Sequence, residues 1–317
     1  MEGSVLDFSL CSAIRENILK VIVGKKETVE LMITALLADG HILIEDLPGL
    51  GKTLMAKSLA RSIGGTFKRV QFTPDLLPSD ITGFNVFNRQ TNAFTFQPGP
   101  VMTNILLADE INRTIQRTQS SLLESMEERQ VTVDGQTFLL PRPFFVMATQ
   151  NPIELEGTFP LPEAQLDRFL YRIHLGYPTD EEEMTIMERF QKDDPLSDLN
   201  PVATPEAIHV LQQARKEIGV SLPVRRYITD IVQATRNNRA LRFGASPRGA
   251  LGLMRAGQAL AALKGRSYVL PDDIKYLAEP VLAHRLILEE DELLRGNTQE
   301  NVLNQILAAV PVPIGNE

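Results

Sequence analysis

A glycine-containing turn follows a short apolar run and precedes an amphipathic segment. Residues 46–53 read Asp-Leu-Pro-Gly-Leu-Gly-Lys-Thr, which departs from the strict G-x-x-x-x-G-K-T pattern only at its first position. Gly49 and Gly51 allow backbone N–H groups to approach phosphate oxygens, and the N-terminus of the following helix adds its dipole. Lys52 can reach the β- and γ-phosphates of a nucleotide, and the Thr53 hydroxyl can ligate Mg²⁺. The predicted nucleotide-binding residues here are Pro48, Gly49, Leu50, Gly51, Lys52, Thr53 and Leu54.

Two adjacent carboxylates end a second apolar run. Residues 104–110 read Asn-Ile-Leu-Leu-Ala-Asp-Glu. At the end of a buried strand Asp109 can hold Mg²⁺, usually through water, and Glu110 can orient and deprotonate the attacking water. The alternative is that these residues are an ordinary surface pair at a strand end. Because the same chain also contains a phosphate loop, the catalytic interpretation is favoured. The two motifs together predict Mg²⁺-dependent hydrolysis of ATP.

A third apolar run, at residues 144–149, is followed by Gln-Asn-Pro. Its strand is expected between the other two, which would place Asn151 near the γ-phosphate as a neutral hydrogen-bonding group. The alternative is that Asn151 only initiates a turn before the proline.

The elements that must position these residues follow an α/β pattern. Strand-like runs alternate with helical patterns, which predicts a parallel sheet covered on both faces. The strand signals stop near Gly176-Tyr177-Pro178, and Thr179 and Glu182 then have the spacing of a capping box. We therefore expect a nucleotide-binding α/β domain at residues 1–178 and an all-α domain at 179–317. The strand-like runs are 41–45, 67–72, 105–109, 144–149 and 169–174.

Two β-hairpins are expected to interrupt the α/β core and to project from it. Residues 130–142 alternate apolar and polar side chains around Asp134-Gly135, the strongest short-range hairpin signal. Residues 83–98 form a second candidate with looser turn chemistry.

Composition excludes several classes of protein. The chain of 317 residues is 43% apolar and 23% charged, which excludes collagen-like and largely disordered chains. Its net charge of −8 argues against a protein whose whole surface binds the phosphate backbone of a nucleic acid. The single cysteine, Cys11, excludes an internal disulfide, and the four histidines are scattered without metal-ligand spacing.

Membrane and secretion signals are also missing from the sequence. Apolar runs end after four or five residues, whereas a bilayer span needs about 20. Glu2 and Asp7 precede any apolar stretch, unlike a secretory signal. We expect no integral membrane segment and a cytosolic protein.

The order and spacing of five segments resemble the MoxR family of AAA+ ATPases over nearly the whole chain. The resemblance implies a five-stranded sheet in the order 5-1-4-3-2, a C-terminal helical lid, and the two hairpins as inserts. It also implies that Asn151 is sensor 1 and that Arg248 is the sensor-2 arginine, which would reach toward the γ-phosphate from the lid. It places the segment 21–24, with Val23 and Gly24, on the adenine side of the site; the alternative for this segment is a core strand or a turn. The segments are 46–53, 109–113, 148–152, 162–169 and 244–248.

The resemblance further makes Arg168, in the segment Leu-Asp-Arg-Phe, the best candidate for an arginine finger that acts on a neighbouring subunit. Its competitors are Arg113, Arg117 and Arg172. The alternative for Arg168 is an ion pair with Asp167 or Glu163.

The same resemblance implies a chaperone-like ATPase that forms a hexameric ring and helps to mature partner proteins. Expected partners bear a von Willebrand factor A domain, and the work includes metal-cofactor insertion. The closest alternative is the ATPase subunit of a magnesium or cobalt chelatase. A nucleic-acid motor is disfavoured because residues 131–141 contain no Lys or Arg and residues 84–96 only Arg89. A scaffold that binds ATP without hydrolysis is disfavoured by Glu110.

Overall fold

Helices and short strands alternate through the first half of the chain, and helices dominate the second. The computed structural model describes residues 8–90, 92–152, 157–192 and 194–313; Glu2 and Asp7 lie outside these ranges. The helices are α1 Ser9–Leu19, α2 Lys26–Leu37, α3 Lys52–Ser62, α4 Pro78–Thr82, α5 Gln116–Glu128, α6 Glu163–Leu166, α7 Asp180–Phe190, α8 Pro205–Ala214, α9 Leu222–Arg236, α10 Pro247–Leu263, α11 Pro271–Leu282, α12 Glu290–Leu294 and α13 Gln299–Ala309. The strands are β1 Ile42–Glu45, β2 Phe67–Gln71, β3 Gly83–Asn88, β4 Ala93–Pro98, β5 Ile105–Asp109, β6 Gln130–Val133, β7 Gln136–Leu139, β8 Phe145–Gln150, β9 Tyr171–Ile173, β10 Leu241–Phe243 and β11 Ile287–Leu288.

The central sheet is parallel and runs in the order β2-β5-β8-β1-β9. In terms of the five core strands this is 5-1-4-3-2, so the predicted order is confirmed. The register pairs Glu45 with Gln150 and Gln71 with Asp109. The carboxyl ends of four strands therefore meet at one edge, which is where ligands bind in open α/β sheets.

Both faces of the sheet are covered, because the strands are apolar on both sides. Leu43, Leu106 and Val146 pack into the core on the side of α4 and α5. Ile42 and Leu107 belong to a larger core that also contains side chains of α1, α2, α3 and the C-terminal helices. The continuous apolar runs of the sequence are the expected pattern for parallel strands buried on two faces.

The two hairpins lie against each other. β3 pairs with β4 and β6 with β7, both antiparallel. The rings of Phe96 and Phe138 stack with centroids 3.9 Å apart, and Asn85 Nδ2 donates to Asp134 Oδ2 at 2.8 Å. Four large apolar side chains of the first hairpin, β3–β4, are exposed, namely Phe84, Val86, Phe87 and Phe94.

The C-terminal region is a helical lid that shares the larger core with the α/β domain. α10 packs against α2, α9 and α11. α8, α10 and α11 each start with proline, and α7 opens with the predicted capping box of Thr179 and Glu182. The lid is not purely helical, because β10 pairs with β11. Strands of three and two residues are too short to give a period-2 pattern, so the sequence does not reveal them.

Within the described part of the chain, no helix combines the length and the hydropathy that crossing a bilayer requires.

Candidate functional site

The predicted phosphate loop connects β1 to α3. Gly49 and Gly51 have φ angles of +88° and +83°, which glycine adopts without strain. Apart from the glycine itself and its two chain neighbours, no heavy atom lies within 4 Å of the position that a Cβ would take at either residue. α3 begins at Lys52, so the unpaired N–H groups of its first turn are directed toward this open space. The loop therefore has the backbone conformation and the room that a phosphate group requires.

Lys52 is held over the loop by a backbone contact. Its Nζ donates to the backbone carbonyl oxygen of Asp46 at 2.6 Å. Burial lowers the pKa of Lys52, whereas the carboxylates of Asp46, Asp109 and Glu110 act in the opposite direction. The Asp46 carboxylate accepts a hydrogen bond from the backbone N–H of Leu175. The aspartate that replaces the usual first glycine thus ties the loop to the segment after β9.

Thr149 positions both members of the carboxylate pair. Its hydroxyl donates to Asp109 Oδ1 at 2.6 Å and accepts from the backbone N–H of Glu110 at 2.9 Å. Glu110 has a φ of +56°, in the left-handed region that glutamate seldom adopts. Such strained backbone occurs preferentially at functional sites, where surrounding contacts fix it.

Two residues of β2 also contact the carboxylates, and the sequence gives no local signal for them. Arg69 donates to Asp109 Oδ2 from Nε at 3.1 Å and from Nη2 at 2.6 Å. Gln71 Nε2 donates to Glu110 Oε2 at 2.5 Å. They belong to the site because β2 and β5 are neighbours in register, which sequence spacing does not show.

One cavity of about 360 Å³ brings most of the predicted residues together, and we call it the phosphate cavity. Asn151, directly after β8, lines this cavity and is buried. Its backbone carbonyl oxygen accepts a hydrogen bond from Asn112 Nδ2 at 3.4 Å. The predicted residues that line this cavity are Pro48, Gly49, Gly51, Lys52, Thr53, Leu54, Asp109, Glu110 and Asn151.

A smaller cavity of about 160 Å³ adjoins the phosphate cavity, because Gly49, Gly51 and Leu54 line both. We call it the apolar cavity. Val23, which is predicted to lie on the adenine side, lines it together with Leu50 of the phosphate loop. Gly24 lies beside it with a φ of +75°, and a Cβ at this position would stand 2.1 Å from the Glu182 carboxyl carbon. The remaining lining is mostly apolar and includes Val21, Ile22, Met55, Pro178, Ile186 and Phe190.

Arg168 and Arg248 lie together in a different cavity, of about 470 Å³. Both guanidinium groups bind the carboxylate of Glu127. Arg168 Nε lies 3.2 Å from Glu127 Oε2, and Arg248 Nη2 donates to Glu127 Oε1. Arg248 Nη1 also lies 3.8 Å from Asp167 Oδ2. The structure thus joins the two predicted arginines to each other through Glu127, and not to the phosphate cavity of their own chain.

The competing arginines have different surroundings. Arg113 Nε lies 3.2 Å from Glu110 Oε2, next to the carboxylate pair. Arg172 binds Glu45 at 3.5 Å and Glu300 at 2.6 Å, at the contact between β9 and α13. Arg117 is exposed on α5.

The donor groups of the phosphate cavity fit a divalent cation and a triphosphate. The Thr53 hydroxyl and the Asp109 carboxylate are the hard oxygen ligands that Mg²⁺ prefers. The Asp109 carboxylate forms an ion pair with the Arg69 guanidinium, so its charge is available to a positive partner at this edge of the sheet. The open space over Gly49 and Gly51 and the ammonium group of Lys52 suit phosphate oxygens.

Comparison with known proteins agrees with this architecture. Residues 41–171 match the family described as "ATPase family associated with various cellular activities", and residues 233–306 match its lid domain. A crystal structure of a protein from Cytophaga hutchinsonii superimposes with a TM-score of 0.91 at 37% identity, covering 97% of this chain and 96% of that chain.

Relatives extend over nearly the full length. The uncharacterized protein YeaC of Bacillus subtilis is 51% identical, over 94% of this chain and 93% of its own. Chaperone MoxR1 of Mycobacterium tuberculosis is 44% identical, over 93% of this chain and 80% of its own. Protein MoxR of Methylorubrum extorquens is 30% identical, over 94% and 93%. With this architecture and these relatives, the chain belongs to the MoxR family of AAA+ ATPases.

Proposed function

We propose that this chain hydrolyses ATP in the phosphate cavity and uses the energy to remodel partner proteins. The observation that carries the proposal is the convergence at one sheet edge of the phosphate loop, the Asp109-Glu110 pair and Asn151. Each comes from a different strand end, and together they supply the phosphate-binding, metal-binding and proton-accepting groups that ATP hydrolysis requires.

The residues divide the work by position. The N–H groups of residues 49–53 and the Lys52 ammonium bind the β- and γ-phosphates, and Asn151 donates a neutral hydrogen bond to the γ-phosphate. Glu110 orients a water molecule and accepts its proton on a carboxylate oxygen as that water attacks phosphorus. Thr53 and Asp109 would hold Mg²⁺, which neutralises charge on the phosphate oxygens when bound.

The apolar cavity is the place for the base of the nucleotide. Val23, Leu50 and Ile186 offer apolar contact to a flat ring, and the cavity is continuous with the phosphate loop through Gly49 and Gly51. A buried base lined by apolar side chains is the usual arrangement in small-molecule sites. We therefore place adenine between the segment 21–24 and α7.

Arg168 is proposed to act on the nucleotide of a neighbouring subunit in a homo-oligomeric ring, which we propose to be a hexamer. The support is its position: it is part of a basic cavity separate from the phosphate cavity of the same chain. Arg248 shares Glu127 with Arg168, so we propose that it acts in the same cavity and links it to the lid. An arginine supplied by a neighbour stabilises charge in the transition state.

Partner proteins are the proposed substrates. The relative from Mycobacterium tuberculosis is named a chaperone, and the exposed phenylalanine side chains on β3 and β4 offer an apolar contact surface. By family resemblance we propose adaptors with a von Willebrand factor A domain and clients that receive metal cofactors.

Two substitutions test the proposal in the purified chain. Lys52→Ala is expected to abolish ATP binding, because it removes the cation that contacts the phosphates. Glu110→Gln is expected to retain ATP binding and to lose turnover by about 10²–10⁴-fold, the usual contribution of a general base. Lys57→Ala, on the exposed face of α3, is the matched control and should leave both unchanged. Calorimetry measures binding and phosphate release measures turnover; full hydrolysis by the Gln variant would refute the role of Glu110.

A further inference from the structure

Both oxygens of the Asp109 carboxylate are occupied by protein donors. Oδ1 accepts the Thr149 hydroxyl at 2.6 Å, and Oδ2 accepts two N–H groups of Arg69 at 2.6 Å and 3.1 Å. The Thr149 contact comes from the core of the sheet, whereas the Arg69 contact comes from the edge strand β2. A second cation can approach Oδ2 only at a short distance from the Arg69 guanidinium, where like charges repel.

Arg69 is able to leave Asp109 at small cost. Its side chain is 48% exposed, whereas that of Asp109 is 16% exposed. Because the Arg69 side of this pair is half-exposed, water solvates the released guanidinium, and the arriving cation takes over its charge at the largely buried carboxylate. The guanidinium is therefore a replaceable counter-ion on a fixed carboxylate.

Arg69 is also connected to the other carboxylate. Its Nη2 donates to Gln71 Oε1 at 3.1 Å, and Gln71 Nε2 donates to Glu110 Oε2 at 2.5 Å. Asp109, Arg69, Gln71 and Glu110 therefore form a continuous chain of polar contacts along the strand ends. Movement of Arg69 away from Asp109 removes one of the contacts that fix the Gln71 amide.

We propose that Arg69 is a positioning residue that competes with the divalent cation for Asp109. In the nucleotide-free chain it neutralises the carboxylate and holds Gln71 against Glu110; cation binding displaces it into solvent. This inference rests on the proposed function, since it requires the Mg²⁺ and the nucleotide to bind in the phosphate cavity.

Mn²⁺ serves as a spectroscopic probe for the cation, and the purified chain is titrated with Mn²⁺ in the presence of ADP. Electron paramagnetic resonance measures free Mn²⁺. Arg69→Gln is expected to tighten Mn²⁺ binding about two- to fivefold, the range of one solvent-screened ion pair. The ADP affinity of Arg69→Gln measured in EDTA should stay within twofold of that of the unsubstituted chain, because no metal ion is then available to compete with Arg69. Arg69→Lys keeps the charge and should bind Mn²⁺ about as weakly as the unsubstituted chain.

Lys68→Gln is the matched control. It removes the same charge from the neighbouring position of β2, where Lys68 Nζ lies 3.5 Å from the Gly99 carbonyl oxygen and away from the phosphate cavity. If Arg69→Gln binds Mn²⁺ no more tightly than Lys68→Gln, the inference is wrong. Weaker ADP binding by Arg69→Gln in EDTA would also overturn it, since Arg69 would then contact phosphate. An unsubstituted chain that binds neither ADP nor Mn²⁺ with ADP would instead refute the proposed function, and the inference with it.

Discussion

Thr149 shows how much of the site depends on a single hydroxyl group. It is almost fully buried, and it contacts a side-chain oxygen of Asp109 and the backbone N–H of Glu110. The proposed metal ligand and the proposed general base are thus fixed relative to each other by a residue on the adjacent strand. Small errors in such placement have large effects on rate.

Thr149→Val is expected to lower ATP turnover by about 10- to 100-fold, because the Asp109 carboxylate and the Glu110 N–H lose their shared partner. The partly buried Glu110 N–H left without this acceptor should also lower the free energy of unfolding by about 1 kcal/mol. Steady-state phosphate release and urea unfolding measure the two effects. Thr149→Ser keeps the hydroxyl and is the control; turnover by the Val variant at the unsubstituted rate would show that this contact is dispensable.

Local motifs made some of these residues predictable and left others hidden. Gly49, Lys52 and Asp109 lie in contiguous segments whose chemistry is readable along the chain. Arg69 and Gln71 reach the carboxylates only through the pairing of β2 with β5, so no short segment contains the signal. The roles of Arg168 and Arg248 stay predictions, because neither side chain lines the phosphate cavity of its own chain.

Arg285, in the turn Ala283–Arg285 that follows α11, connects the lid to the segment that contains Arg168. Its side chain is 4% exposed, and its Nε donates to Asp167 Oδ1 at 2.7 Å. Its other N–H groups donate to the carbonyl oxygens of Asp167, Phe169 and Leu170. Burial lowers the pKa of Arg285, and Asp167 opposes that change. The lid and residues 167–170 are therefore linked by one guanidinium group.

Arg285→Met is expected to lower the free energy of unfolding by about 2–3 kcal/mol, somewhat less than for a fully buried pair because Asp167 is partly exposed. It should also reduce turnover, since Arg168 lies within the released segment 167–170. Urea unfolding followed by circular dichroism measures the first effect. The matched control is Arg295→Met, whose ion pair with Glu292 is exposed. A loss no larger than that of the control would contradict the link between lid and core.

Secondary structure was predictable where burial imposes a clear pattern. Four of the five core strands lie inside their predicted runs, and β8 extends one residue beyond its run. This agreement arises because buried parallel strands are apolar on both faces. The Asp134-Gly135 turn is present with positive φ at both residues, as its chemistry predicts. The β10–β11 ribbon escaped prediction because it is short and its strands are distant in sequence. The division of the chain at residue 178 stays a prediction.

The whole molecule is expected to work only as an assembly. The phosphate cavity lies within one chain. The cavity that contains Arg168 and Arg248 is separate from it, and both of these arginine side chains are partly exposed. A ring would let each subunit present the second cavity to the nucleotide of the next. Neither the number of subunits nor the partner proteins can be read from one chain, because both depend on surfaces that only the assembly brings together.

Mixing experiments test this arrangement. Arg168→Ala is expected to lower turnover about 10³-fold or more, in the range found for arginine fingers. Lys52→Ala subunits keep Arg168 and lack a working phosphate site, so mixing the two inactive variants should restore part of the activity at composite interfaces. Phosphate release measured against the mixing ratio gives the answer. Absence of rescue, with mixed assemblies demonstrated by mass measurement, would argue that Arg168 acts within its own chain or only structurally.

The most direct test of the central claim is a structure of the Glu110→Gln variant with ATP and Mg²⁺ bound. The expected result is a triphosphate over Gly49 and Gly51, with Mg²⁺ between Thr53 and Asp109 and the adenine in the apolar cavity. ATP bound elsewhere, or a phosphate cavity that excludes it at saturating concentration, would contradict the proposed mechanism.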